Sequence, residues 1–394
     1  MASATGGLAA ANLRKTNHDI IVVGAGVFGA WTAEHLRRAG RRVLLVDHLG
    51  PGNARASSGG ESRFTRSAYG RDAIYTRMAH TSLAEWQALS NAASLPLFHP
   101  VGVLFFFDRM VDYARDSIAV HKDLNLPLQV LDGRELQRRW PQIDFSGIEL
   151  GLYEPSYGAL MAGRCVQEVV HRFVAQGGEY LHAQAAPGAN GGSVRLDGKE
   201  VHADHVVYAC GPWLPKMFPD VLGERIFVTR QEIAFLAPPD GDARYEAAAL
   251  PGWADFNGGD LYYGFPNLEG RGFKIGRDHH GAPFDPDTGD RRISDSGLAL
   301  LSAYLERRFH ALAKRPFTEF RVCQYENSSN GDFLIDRHPE QEGSWLVGAG
   351  SGHGFKHGPE VGRMTADLVL GRASAPEPRF TLASKATVQR REVL

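Results

Sequence analysis

Cysteine is scarce in this chain. Three in 394 residues, Cys165, Cys210 and Cys323, lie far apart. That is too few for a disulfide framework and points to a reducing compartment, the cytoplasm. Apolar runs of spanning length are missing too, because charge or glycine interrupts the longest ones, so no membrane is expected. Neither sign of charge is in excess: the formal net charge is −2, which argues against nucleic acid or an anionic surface as partner and leaves a small molecule. The first eighteen residues lack the charged-then-apolar order of a signal peptide and read as a disordered leader. The closing Arg-Glu-Val-Leu is not a peroxisomal Ser-Lys-Leu address. Sixteen histidines show no ligand spacing, and His279 and His280 are adjacent, so no metal site is expected. A G-x-S-x-G elbow and paired carboxylates are absent, which removes the common hydrolase schemes. Repeats and low-complexity tracts are absent as well.

What is present begins with a compact unit over residues 19–47. Asp19 to Val23 is an apolar strand, Val27 to Ala39 an amphipathic helix ended by Gly40, and Arg42 to Asp47 a second apolar strand. Strands apolar on both faces suit a parallel sheet covered on each side. Further on, the pattern predicts helices near 74–89, 163–176, 296–309 and 359–370. Strands are predicted at 102–107, 179–183, 205–210, 226–236, 261–265, 273–276, 333–335 and 345–349. The fold class is therefore α/β, α+β overall: a Rossmann-like dinucleotide domain assembled from separated segments, interrupted by a β-rich domain. The expected division gives 17–95, 151–225 and 320–385 to the first and 96–150 and 226–319 to the second.

Gly24-Ala-Gly26-Val27-Phe28-Gly29 is G-x-G-x-x-G between a strand and a helix, and Asp47 ends the next strand 23 residues after Gly24. Gly24 permits the tight turn, Gly26 lets backbone approach a pyrophosphate, and Gly29 lets the helix pack on the strand. The helix N-terminus, opening at Val27 and Phe28, offers N–H groups to phosphates, and Asp47 accepts ribose hydroxyls. An acid rather than a base at that position argues against a 2′-phosphate. The fingerprint alone leaves NAD and FAD both open.

Three further segments narrow the choice. They are Ser57 to Gly70, with Arg63 and Arg66; Tyr262-Tyr263-Gly264-Phe265-Pro266 leading to Phe273-Lys274-Ile275-Gly276; and Cys323-Gln324-Tyr325 followed by Gly350-Ser351-Gly352-His353-Gly354-Phe355-Lys356. Together with the fingerprint, and in this order, they resemble the monomeric sarcosine oxidase and N-methyltryptophan oxidase group of the D-amino-acid-oxidase-like (DAO) flavoproteins. The resemblance implies FAD joined covalently through Cys323, a thiolate being a good nucleophile towards the flavin 8-methyl carbon. It implies a catalytic Lys274 beside flavin N5 that promotes reaction with O2, and Arg63 close to the flavin ring. Arg66 and Lys356 are implied to hold a substrate carboxylate, with Tyr263 and Tyr325 on the substrate side. Ser58 and the loop Gly352, His353, Gly354, Phe355 and Lys356 are implied to contact the cofactor, the loop through N–H groups at a positive helix end. His353 reads as a packed, hydrogen-bonded ring rather than a base.

The chain also departs from the family pattern. Two family histidines are Ser58 and Gly59 here, and a family histidine four residues after the lysine is Asp278. A substrate bulkier than sarcosine, or one with an extra cation, follows from that change. The expected enzyme is an FAD-dependent amine oxidoreductase, a monomer oxidising a secondary-amine amino acid with O2 as acceptor. The alternatives are an amine dehydrogenase or primary-amine oxidase on the same fold, an NAD-dependent dehydrogenase, and a flavin-binding module without turnover.

Overall fold

The computed structural model describes residues 18–257, 261–279 and 281–389. Residues 1–17 of the expected eighteen-residue leader, His280 and the closing residues 391–394 lie outside the described residues.

Strand Ile20–Val23 has side chains that go alternately to the two faces of its sheet. Ile20 and Val22 pack, with Val43 and Leu45, against Ala30, Trp31, Ala33 and Leu36 of helix Val27–Arg38. Ile21 and Val23 pack, with Leu44 and Val46, against the meander residues Val194, Leu196 and Val201. Both faces are thus covered, as apolar strands require. The sheet has six strands in the order Leu334–Arg337, Ser344–Gly348, His205–Tyr208, Ile20–Val23, Val43–Asp47, Glu179–His182. All neighbours are parallel except the first two. Helices Ala162–Ala175 and Gly358–Val369 lie beside Val27–Arg38 on the helical face.

The second sheet has eight strands: Phe317–Ser328, Ile226–Leu236, Phe273–Asp278, Leu261–Phe265, Gly252–Asp255, Val103–Phe107, Leu150–Glu154 and Gln129–Asp132. It is antiparallel apart from the parallel pair Gly252–Asp255 and Val103–Phe107. One face buries Leu104, Phe106, Trp253, Phe273 and Ile275 under helix Asp295–Arg308. Alternation sends Phe105, Ala254, Tyr263 and Lys274 to the other face, towards the dinucleotide fingerprint. A small sheet of Ser62–Thr65, Gly158–Met161 and Phe98–His99 lies between the two units.

Two expected boundaries run through this hydrogen bonding. Leu150–Glu154 pairs with Val103–Phe107 and Gln129–Asp132, across the division placed at 150/151. Phe317–Ser328 pairs along the length of Ile226–Leu236, across the division placed at 319/320. Both strands belong to the eight-stranded sheet, because ladder pairing, and not chain order, decides where a strand goes. The alternating charges of Glu319 and Arg321 had hidden the longer one. No helix among the described residues is long and apolar enough to cross a membrane.

Candidate active site

Two cavities adjoin, sharing Val27, Phe28, Ser57 and Ser58 as walls, and the smaller of them lies against the inner face of the eight-stranded sheet. One, of about 390 Å³, is lined by Gly24, Gly26, Asp47 and the chain around Cys210. The other, of about 240 Å³, holds the remaining expected side chains. Gly24 sits at φ +103°, and a Cβ there would stand 2.4 Å from the Ala209 carbonyl oxygen. Only glycine makes that turn without strain. Gly29 faces no cavity: a Cβ on it would lie 1.9 Å from the Gly24 carbonyl oxygen, so its part is helix-on-strand packing. Asp47 accepts from the amides of Ala25 at 2.7 Å, Leu49 at 2.7 Å and Gly50 at 2.8 Å, tying the turn to the second strand. Acceptor capacity is left on this half-buried carboxylate for a ligand hydroxyl.

Ser58 Oγ accepts the Val27 N–H at 2.9 Å, so this hydroxyl caps the fingerprint helix from a distant loop. Arg63 is pinned by the carbonyls of Ser62 at 2.9 Å, Ser57 at 3.1 Å and Gly59 at 3.1 Å, which fixes its guanidinium on the cavity wall. Lys274, buried at 2% exposure, donates to the Ser62 carbonyl at 2.8 Å and stands 5.2 Å from the Phe265 ring centre. It forms no ion pair among the described residues. Burial, with the charge of Arg63 adding to it, pulls its pKa down to about 7. Cys323 and Tyr325 are two residues apart on strand Phe317–Ser328, hence on one face, and both line this cavity. Tyr263 joins them from the strand next to Lys274, and burial raises its phenol pKa.

Arg66 stacks 4.1 Å from the Tyr69 ring centre, and its guanidinium also reaches the Tyr113 hydroxyl at 3.4 Å and the Ala68 carbonyl. Lys356 Nζ donates to the Tyr69 hydroxyl at 2.7 Å and the His353 carbonyl at 2.8 Å. Both cations therefore flank one tyrosine on the cavity wall, and neither has a carboxylate within ion-pair distance among the described residues. Asp278 lines the same cavity. Gly352, at φ +78°, lets the loop pass over Tyr325, since a Cβ there would meet the ring at 2.7 Å. Gly354 and Phe355 complete this wall, and His353 is packed and hydrogen-bonded as expected, to Tyr69 and the Gly331 carbonyl.

Sequence reasoning assigned no role to Tyr69, His357 or Glu326. Tyr69 lies in the Ser57 to Gly70 segment, three residues after Arg66, a spacing that carries no signal of its own. Glu326 follows Tyr325 on a strand, where alternation would turn it away from the cavity. At the strand end it instead lines it, with Oε1 accepting from Gly350 N at 3.4 Å and Oε2 buried without a partner. Burial pushes its pKa up to about 7. An orphaned buried oxygen beside the glycine loop fits a ligand that brings hydroxyls, as a ribityl chain does. With the fingerprint turn and the capped helix end, the residues present fit FAD.

A strand–glycine turn–helix unit opening into a cleft whose far wall carries free cations defines a dinucleotide-dependent redox enzyme. Residues 19–368 match the family described as DAO, FAD dependent oxidoreductase, and the chain belongs to that family. It is 30% identical to the monomeric sarcosine oxidase of Streptomyces avermitilis over 368 residues, 91% of this chain and 95% of that one. It is 26% identical to the N-methyl-L-tryptophan oxidase of Salmonella enteritidis over 370 residues, covering 91% and 96% of the two chains. Among solved structures, the L-proline dehydrogenase of P. horikoshii superposes with a TM-score of 0.81 at 18% identity, covering 93% of this chain and 96% of that one, a likeness of fold.

Proposed function

We propose that this FAD-dependent oxidoreductase oxidises an amino acid bearing a secondary amine, N-methyl or cyclic. The observation that carries the reading is the pair Arg66 and Lys356, two basic side chains on one cavity wall with no acid paired to either among the described residues. A substrate carboxylate supplies the missing anion. The names of the relatives, oxidases of sarcosine and of N-methyl-L-tryptophan, support the amine.

The chemistry FAD supplies when bound is two-electron: acceptance of a hydride from the carbon beside nitrogen and delivery of the electrons to O2, leaving H2O2 and an imine that water hydrolyses. The chain's own residues bind, orient and polarise. Arg66 presents a planar fork to the carboxylate and Lys356 a second positive charge, which orients the amine carbon. Tyr263 and Tyr325 wall the space around it. Lys274 is a fixed cation where negative charge grows on oxygen. Cys323 would be the attachment point for the flavin, and Arg63 would stand close to its ring. Asp278, an acid on the cavity wall, suits a substrate larger or more cationic than sarcosine. The division into a cofactor unit and a substrate unit belongs to the same proposal, with strands Leu150–Glu154 and Phe317–Ser328 assigned to the substrate unit.

Titration with simple carboxylates, followed through the flavin spectrum, tests the reading without knowledge of the true substrate. Arg66→Ala should weaken binding by roughly 2–5 kcal/mol, as expected when one partner of a desolvated charge pair is removed. A neutral amine should be affected far less. If no carboxylate perturbs the spectrum, or if Arg66→Ala binds as tightly as the parent, the amino-acid reading fails.

A further inference from the structure

Behind the two cations lies a chain of hydrogen bonds that this scheme leaves unused. The Tyr69 hydroxyl meets Lys356 Nζ at 2.7 Å, His357 Nε2 at 2.7 Å and His353 Nδ1 at 3.2 Å. His353 Nε2 lies 3.0 Å from the Gly331 carbonyl, which only accepts, so Nε2 bears a proton and Nδ1 is the ring atom able to accept. Tyr69 then donates to His353 and accepts from Lys356 and from His357. The His357 Nδ1 that this assignment leaves as an acceptor is buried without a partner, less costly than an orphaned N–H. A continuous line therefore runs from buried Lys356 through Tyr69 to half-buried His353, next to exposed Gly352.

The charges around Lys356 all bear on its protonation. Arg66 stacks on the same tyrosine, Tyr69, to whose hydroxyl Lys356 donates. Glu154 and Asp278 act at longer range, and Glu154 is already engaged by Ser67 Oγ at 2.6 Å and by His121. On the far side Tyr75 donates to Asp332, which pairs with Arg379. Burial, then the charge of Arg66, holds the Lys356 pKa well below the usual amine range, and burial does the same to His357. Nζ gives N–H bonds to two neutral acceptors, the Tyr69 hydroxyl and the His353 carbonyl, and has no carboxylate within ion-pair distance among the described residues. Two N–H bonds so placed leave the third position of the nitrogen for a lone pair in the free site. A secondary-amine amino acid arrives in neutral solution as an ammonium, whereas hydride loss needs the lone pair on nitrogen.

We propose that Lys356 takes the proton that the substrate nitrogen has to lose, and that Tyr69 passes it on to Nδ1 of the half-buried His353 between turnovers. The inference rests on the carboxylate reading above. One N–H bond of the substrate ammonium breaks, its electron pair stays on nitrogen, and a new N–H bond forms on Nζ. No oxidant or co-reactant enters the step. A zwitterion beside a neutral lysine becomes an amino carboxylate beside an ammonium, so the same transfer frees the amine and completes the anion site.

The test uses FAD-loaded protein and tetrahydrofuran-2-carboxylate, a carboxylate with no titrating nitrogen. Its binding is measured calorimetrically in phosphate and in Tris, whose ionisation heats differ, between pH 6 and 9. With no ammonium to supply the proton, binding should draw about one proton from the buffer at high pH and fewer as the free lysine becomes protonated at low pH. Lys356→Met should bind more weakly with no uptake. Tyr69→Phe, which removes an acceptor of the ammonium, should move the uptake window to lower pH. Binding without proton uptake at any pH overturns the inference and leaves the carboxylate site standing. Absence of binding overturns the carboxylate reading and the inference together. Uptake that persists in Lys356→Met places the proton elsewhere and also overturns it. If that variant does not load FAD, an unchanged uptake window in Tyr69→Phe decides against the proposal.

Discussion

Burial and the neighbouring guanidinium of Arg63 bring Lys274 to about pH 7, so its ammonium is complete only below that value and fades above it. Negative charge arriving beside it stabilises the ammonium and moves the transition upward again. That is the behaviour the proposed oxygen role of Lys274 requires. Lys274→Met should therefore slow reoxidation by orders of magnitude, since a preorganised charge in a dry site is worth several kcal/mol to a transition state. Flavin reduction should change much less. Stopped-flow half-reactions separate the two steps. In the parent the oxygen rate constant should fall as pH rises through the lysine transition, and in the variant it should be flat. An unchanged oxygen rate constant in Lys274→Met rules the role out.

Helix Val27–Arg38 gains its N-terminal cap from outside itself: Gly26 has no side chain to give, and Ser58, 31 residues after Val27, accepts the first amide. Loss of that bond in Ser58→Ala should cost about 1 kcal/mol of stability, read from denaturant midpoints. A midpoint identical to the parent's would show that the hydroxyl serves a ligand and not the helix. The same element shows what was legible in the chain and what was not. Its strand, turn, helix and acid could all be read locally, because period, glycine spacing and apolar content report on neighbours in sequence. Strands Ile226–Leu236 and Leu261–Phe265 were read to the residue for the same reason. The cap was not legible, since nothing in Ser58 says which amide it will face. Strands Ser62–Thr65 and Gly158–Met161 were missed because their pairing partners lie far along the chain and their composition is mixed. At the site, the motif residues were found through a resemblance of ordered segments. The Lys356–Tyr69–His353 line was not, because three hydrogen bonds to one hydroxyl exist only once two distant loops meet.

Across the whole molecule the cleft takes one wall from each unit, the fingerprint and the Gly350–Lys356 loop on one side and Lys274 and Cys323 of the eight-stranded sheet on the other. A ligand filling it bridges both units, so its binding energy adds to the stability of the folded chain as a whole. A freely dissociating cofactor stabilises by mass action, about 2.7 kcal/mol at a concentration one hundred times its Kd. A covalently attached one is always present, and added FAD then changes nothing. Attachment through Cys323 therefore has a signature in unfolding as well as in colour. The parent should give a yellow pellet on acid precipitation and a thermal midpoint indifferent to added FAD. Cys323→Ala should release the colour into the supernatant and acquire a midpoint that climbs with FAD concentration. A thiol-to-methyl change on a half-buried strand position removes little packing, so a lower midpoint in the variant that FAD fully restores reports on the cofactor and not on the strand. A colourless parent pellet, with a midpoint that rises as FAD is added, would show that the flavin is held by the cleft alone, and the assignment of Cys323 would fall.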